Sequence, residues 1–233
     1  MTDRLAQRSR QGLNLKPIVF AAIGVMTLYV LYHNERFLIQ PENPIWRHYA
    51  QIAFWLIPHA IAGTSALLLA PLQFSERLRK RYTKAHHIVG RIYVVGALVL
   101  APLGAYGQYL SETAGGPREF TVLAIVDAAM LMSTTLVAYL FAIRRRITLH
   151  RQWMTRSYAV ALVFFEGRLL GGLLGIDDNV NATMAAIWAC LALSMVFAEL
   201  ANNYADIRMN LRAPARTPER EPSSAFPIEA PTA

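Results

Sequence analysis

Residues 71–93 read Pro-Leu-Gln-Phe-Ser-Glu-Arg-Leu-Arg-Lys-Arg-Tyr-Thr-Lys-Ala-His-His-Ile-Val-Gly-Arg-Ile-Tyr, a basic connector with two histidines, set between two long apolar runs. The runs, at about 50–72 and 88–110, each reach the roughly 20 mostly apolar residues that a helix needs to cross a bilayer core. A charged link between two such runs is a transmembrane helix hairpin. Working outward, the same criterion marks four more segments, at about 17–33, 120–143, 154–174 and 182–204. The expected fold is all-α: a polytopic bundle of six transmembrane helices.

Composition agrees, since 55% of the 233 residues are hydrophobic and only 16% are charged, which is too little charge for an ordinary soluble domain. The net charge of +8 does not imply nucleic acid, because the basic residues fall in short clusters between apolar runs and form no soluble nucleic-acid module. Those clusters set orientation instead. Nineteen of the 23 Lys and Arg residues lie in the N-terminal tail, the 73–91 and 144–156 connectors and the C-terminal tail, whereas the opposite loops hold only Arg36, Arg47 and Arg118. By the positive-inside rule both termini are expected in the cytoplasm and the bundle in the cell's inner membrane.

The domain plan follows: a cytoplasmic tail over 1–16, the transmembrane domain over 17–205, and a disordered tail over 206–233 rich in Pro, Glu, Ser and Ala. Ile18 to Tyr32 has no small-residue cleavage site after it and reads as an uncleaved first span. Trp46, Tyr49 and Trp55 suit an interfacial aromatic belt. Cys190 is the only cysteine, which excludes an intrachain disulfide and a cysteine metal cluster.

Charged and polar groups inside spans are costly and mark the places where a bundle turns inward. His59 lies 14 residues before Gln73 and Arg168 lies 12 after Arg156, depths of roughly 21 and 18 Å at about 1.5 Å per residue. His59 shares a helix face with Gly63, Ala66 and Ala70, and Arg168 with Gly171, Gly172 and Gly175. Small residues mark helix contacts in membranes, so an outer-half ligand pocket of His59 and Arg168 is expected, joined by Asp127, Gln108 and Tyr106. The alternative is that the same groups only hold helices together. Glu199 is expected to pair with Arg91 or Arg156 in a structural role.

His87 and His150 each stand at the start of a helix that leaves the cytoplasmic side, among arginines and lysines. A neutral imidazole there is a metal ligand, so a b-type haem held by His87 and His150 is one expectation. A collar that contacts the anionic head groups of the lipid bilayer is another. No catalytic constellation is readable, and an enzyme is not the favoured reading; nothing fixes a substrate or an oligomeric state.

Several ordered motifs carry a resemblance: His59-x3-Gly63; Ala70-Pro71-Leu72-Gln73-Phe74; Leu78-Arg79-x-Arg81; His87-x2-Gly90-Arg91-x-Tyr93; and His150-Arg151-x-Trp153-Met154-x-Arg156-Ser157-Tyr158. Together they resemble a family of bacterial multi-pass membrane proteins designated domain of unknown function 2306, over about residues 50–205. The chain departs from the family pattern at Ala70, usually Gly, and at Ile88, usually Arg. The resemblance implies fold and topology and supplies no mechanism, leaving a structural, regulatory or small-ligand-binding bundle as the expected function, with haem-based electron transfer and small-molecule transport as alternatives.

Overall fold

A computed structural model describes residues 16–33, 39, 40, 42, 53–177 and 179–212. Among these residues every extended element is a helix and there is no strand. The helices are α1 (Lys16–His33), α2 (Ala53–Gln73), α3 (Glu76–Arg81), α4 (Thr83–Thr113), α5 (Arg118–Ile143), α6 (Ile147–Ala161), α7 (Val163–Leu174) and α8 (Val180–Arg212). The expectations for the tails 1–15 and 213–233, and for Arg36, Trp46, Arg47 and Tyr49, lie outside the described residues.

Five segments are long and apolar enough to cross a membrane: Phe54–Gln73, Thr83–Thr113, Arg118–Ile143, Ile147–Leu174 and Val180–Tyr204. The first expected span, Pro17–His33, is a shorter apolar helix. The other helices extend beyond their apolar runs. The helices α4 and α6 begin at Thr83 and Ile147, ahead of the apolar runs expected from 88 and 154, because helical hydrogen bonding does not stop where hydropathy does; His87 and His150 lie in their opening turns, as expected. For the same reason α8 continues past 205 to Arg212.

Packing links α2 to α4, α4 to α5, α5 to α6, and α6 back to α2, so these four close into a ring. Outside it, α8 packs on α6 and α7, and α1 packs on α7. Large apolar side chains such as Phe54, Ile61, Leu68, Val95, Leu174 and Phe197 face outward. Small and polar ones, including Ala66, Ala70, Ala97, Thr135 and Ser157, are buried. This inside-out pattern suits lipid, where close backbone approach rather than hydrophobic burial holds helices together.

The α2–α4 seam shows how. A Cβ on Gly104 would lie 2.8 Å from the His59 ring, one on Gly63 would lie 3.1 Å from Leu100, and one on Gly90 would lie 3.2 Å from the Gln73 amide oxygen. The residue numbers in each of these pairs add to 163, the mark of straight antiparallel helices held in one register. Midway, Gly96 sits against Ser65 and the Ala62 carbonyl. Ala70 is fully buried as well.

Two connectors close on residues in the left-handed region. Gly175, at φ +63°, ends α7, and the Ile176 N–H donates back to the Gly171 carbonyl at 3.0 Å, a C-terminal geometry that favours glycine. Arg145 takes φ +56° at the end of α5, where the Arg146 N–H donates to the Phe141 carbonyl at 2.9 Å.

The crossing Ile147–Leu174 is broken at Leu162 into α6 and α7. With neither proline nor glycine from Ser157 to Glu166, the sequence gives no sign of the break. Beyond it the glycines of α7 make close contacts. A Cβ on Gly167 would meet Ile187 of α8 at 2.6 Å, and one on Gly172 would meet the Tyr29 hydroxyl of α1 at 2.6 Å. Replacing Gly167 with Val should therefore cost about 1–3 kcal/mol by overpacking and lower the melting temperature in detergent. Gly107→Ala, at a helical site with nothing within 4 Å, should leave it unchanged or gain about 0.5–1 kcal/mol from the lost backbone freedom.

Candidate functional site

Inside the four-helix ring, three hydroxyls from three helices form one chain. Tyr93 of α4 and Ser157 of α6 are 2.8 Å apart, and Ser157 and Thr135 of α5 are 2.7 Å apart. All three residues are fully buried. A buried hydroxyl without a partner is expensive in an apolar medium, so Ser157, shared by both neighbours, joins three helices by polar bonds that lipid cannot replace.

Toward the basic end of the bundle, where residues 74–82 and 144–146 link the helices, further polar groups gather. His150 Nδ1 lies 2.9 Å from the Ala138 carbonyl. A carbonyl only accepts, so the hydrogen is on Nδ1 and the other ring nitrogen of a neutral His150 is an acceptor. His86 stands on α4 one turn before Gly90 and two before Tyr93, along the buried face of that helix. It lies within electrostatic reach of His87, His150 and Arg79. His87 is exposed, its ring 5.9 Å from that of His86.

Gln73, at the end of α2, lies against Gly90. The ring of Tyr158 packs 5.8 Å from that of Phe74, because side chains on α6 lean toward its N-terminal, basic end. Three atoms in this region are buried with no hydrogen-bond partner among the described residues: Gln73 Nε2, His86 Nδ1 and Tyr158 Oη. They come from α2, α4 and α6.

Beside this cluster Arg156 is held from two directions. Its guanidinium lies 2.6 Å from the Glu199 carboxylate and 4.8 Å from the Trp153 ring centroid. Asn202, one turn after Glu199, donates to the Gln152 carbonyl at 3.2 Å. These contacts fasten α8 to α6. Arg91 is exposed and makes no ion pair among the described residues.

The groups expected in the outer half are spread over separate helix pairs. His59 turns to α4, with Nδ1 3.0 Å from the Leu100 carbonyl and its ring against Gly104. Arg168 is exposed on α7, whose neighbours are α8 and α1. Tyr106 is 40% exposed and stacks edge-on with Trp55 at 5.1 Å, a pairing suited to the membrane interface. The Gln108 backbone carbonyl accepts from Thr121. Asp127 is buried on α5, with Oδ1 unpartnered. Among the described residues no group of three His, Cys, Asp or Glu side chains could hold a metal ion.

Sequence reading passed over His86, Tyr93, Ser157, Thr135 and Tyr158 as site members. Helical phase could have found His86, since 86, 90, 93 and 97 follow one face while His87 falls off it. Thr135 carries no comparable signal.

The hydroxyl chain gives a direct test. Ser157→Ala strands both the Tyr93 and Thr135 hydroxyls and should cost about 1–3 kcal/mol for each buried group left unpaired. Adding Tyr93→Phe and Thr135→Val to that variant should recover much of the loss, read as partial restoration of the melting temperature.

No curated protein and no solved structure matches the chain. The family model described as "Predicted membrane protein (DUF2306)" matches residues 56–202, which takes in α2 through most of α8 and all the residues of the hydroxyl chain. The chain therefore belongs to the DUF2306 family of predicted membrane proteins.

Proposed function

We propose that this membrane protein is a small-ligand-binding helix bundle whose site lies at the basic end of the four-helix ring, between α2, α4 and α6. The observation that carries this reading is the set of three buried, unpartnered polar atoms, Gln73 Nε2, His86 Nδ1 and Tyr158 Oη. Buried polar groups are nearly always hydrogen-bonded, and exceptions call for an explanation such as an absent ligand. Three exceptions on three adjacent helices, beside motifs far apart in sequence, favour one common ligand. His59 supports an outer-half pocket less well, because its Nδ1 is engaged by the Leu100 carbonyl.

In the same reading the bundle sits in the inner membrane with six crossings, α1 being the sixth, and with both termini and the basic end in the cytoplasm. The charge asymmetry supports that orientation. It also brings the cationic collar to the anionic lipid surface, where each nearby Lys or Arg contributes about 1 kcal/mol of attraction.

Two measurements test the proposal. With Cys190 replaced by Ala, single cysteines at residues 3 and 230 should react with a membrane-impermeant maleimide only after the cells are opened. Labelling of intact cells would reverse the orientation. For the site, Tyr158→Phe removes a hydroxyl that has no partner in the empty protein. It should raise the melting temperature of the ligand-free form by relieving a penalty of about 1–3 kcal/mol, while weakening ligand binding. A lower melting temperature would show that the hydroxyl serves the fold.

A further inference from the structure

Resting on the small-ligand reading, we propose that the ligand at the basic end is the phosphate-bearing head of an anionic membrane lipid. The first constraint is the chemistry of the unpartnered atoms. Gln73 Nε2 carries only hydrogens to offer, so its partner must be an acceptor. The Tyr158 hydroxyl can donate as well, and His86 Nδ1 donates in one tautomer and in the protonated form. A group with several acceptor oxygens answers all three donors at once, as a phosphate does.

The second constraint is charge. The short helix α3 and the start of α4 carry Arg79, Lys80, Arg81 and Lys84, all near Gln73 and His86 in the chain. Glu76 is the only acidic residue in this connector, and it pairs with Lys80 at 3.5 Å. Arg79 itself acts electrostatically on His86. The segment beside the donor groups is therefore strongly cationic, complementary to a phosphate.

The third constraint separates a lipid from a free anion. On one side of α2 an open, mostly apolar surface is formed by Ala60, Ile61, Thr64, Ser65, Leu68 and Leu69. It ends one helical turn short of Gln73. A lipid whose phosphate is held by Gln73, His86 and Tyr158 would have this apolar surface available for an acyl chain, which a free phosphate would not use.

The test uses the full-length protein in a neutral detergent at fixed ionic strength, with melting temperature read against added phosphatidylglycerol, phosphatidylcholine or inorganic phosphate. Phosphatidylglycerol should stabilise the protein saturably and phosphatidylcholine should not. In Gln73→Leu and Tyr158→Phe the apparent affinity for phosphatidylglycerol should fall at least about tenfold, the loss expected for a hydrogen bond to a charged acceptor. Lys84→Gln should lose less and show a weaker salt dependence. Equal stabilisation by phosphatidylcholine, or undiminished phosphatidylglycerol binding in both variants, would overturn the proposal in favour of diffuse attraction to the collar. Stabilisation by inorganic phosphate with the same dependence on Gln73 and Tyr158 would overturn the lipid and leave a soluble phosphate ligand. If none of the three stabilises the protein while Tyr158→Phe still raises the ligand-free melting temperature, the head-group assignment fails and the small-ligand reading stands. If Tyr158→Phe lowers it, the small-ligand reading fails too.

Discussion

Ser157 carries the smallest hydroxyl side chain a protein can use, and in this bundle three helices meet on it. Its oxygen lies within 2.8 Å of both Tyr93 and Thr135, inside a ring whose outer surface is Leu, Ile, Val and Phe. Lipid offers no polar partner that could compete for those hydroxyls and little hydrophobic drive to hold the helices. Depth along α4, α5 and α6 is thus set by a polar contact, while distance between helices is set by the small residues above and below it. The α2–α4 seam carries that spacing outward to Gly104, and the Arg156–Glu199 pair extends it sideways to α8.

Much of the fold is legible in the sequence because the bilayer imposes a strong one-dimensional rule. A run of about 20 apolar residues is a crossing, and the chain from Phe54 to Tyr204 obeys it five times. The rule loses sight of two things. Helices outlast their apolar runs, so hydropathy alone starts α4 and α6 several residues late, at 88 and 154 rather than at Thr83 and Ile147. The interruption at Leu162 arises from packing, with no proline or glycine to announce it.

The candidate site is less legible, for a different reason. A search for charge within spans leads to His59, Arg168 and Asp127. The residues that cluster are mostly neutral: Gln73, Tyr93, Thr135, Ser157 and Tyr158, which in a sequence look like ordinary helix residues. What gathers them is the antiparallel register of α2, α4, α5 and α6, a three-dimensional fact. The choice between His86 and His87 turns on about 100° of helical phase, which the adjacent letters do not display.

The interruption at Leu162 also divides the molecule mechanically. On one side stands the ring of α2, α4, α5 and α6; on the other stand α7 and α1, joined through Gly172 and Tyr29. Neither α6, with 15 residues, nor α7, with 12, spans a bilayer alone, so the two share one crossing. The long helix α8 lies along both helices and acts as a splint. The contact between Gly167 and Ile187 lies on the far side of the interruption from the α6 residues Gln152 and Arg156, which Asn202 and Glu199 engage, so α8 grips the crossing on both sides of Leu162.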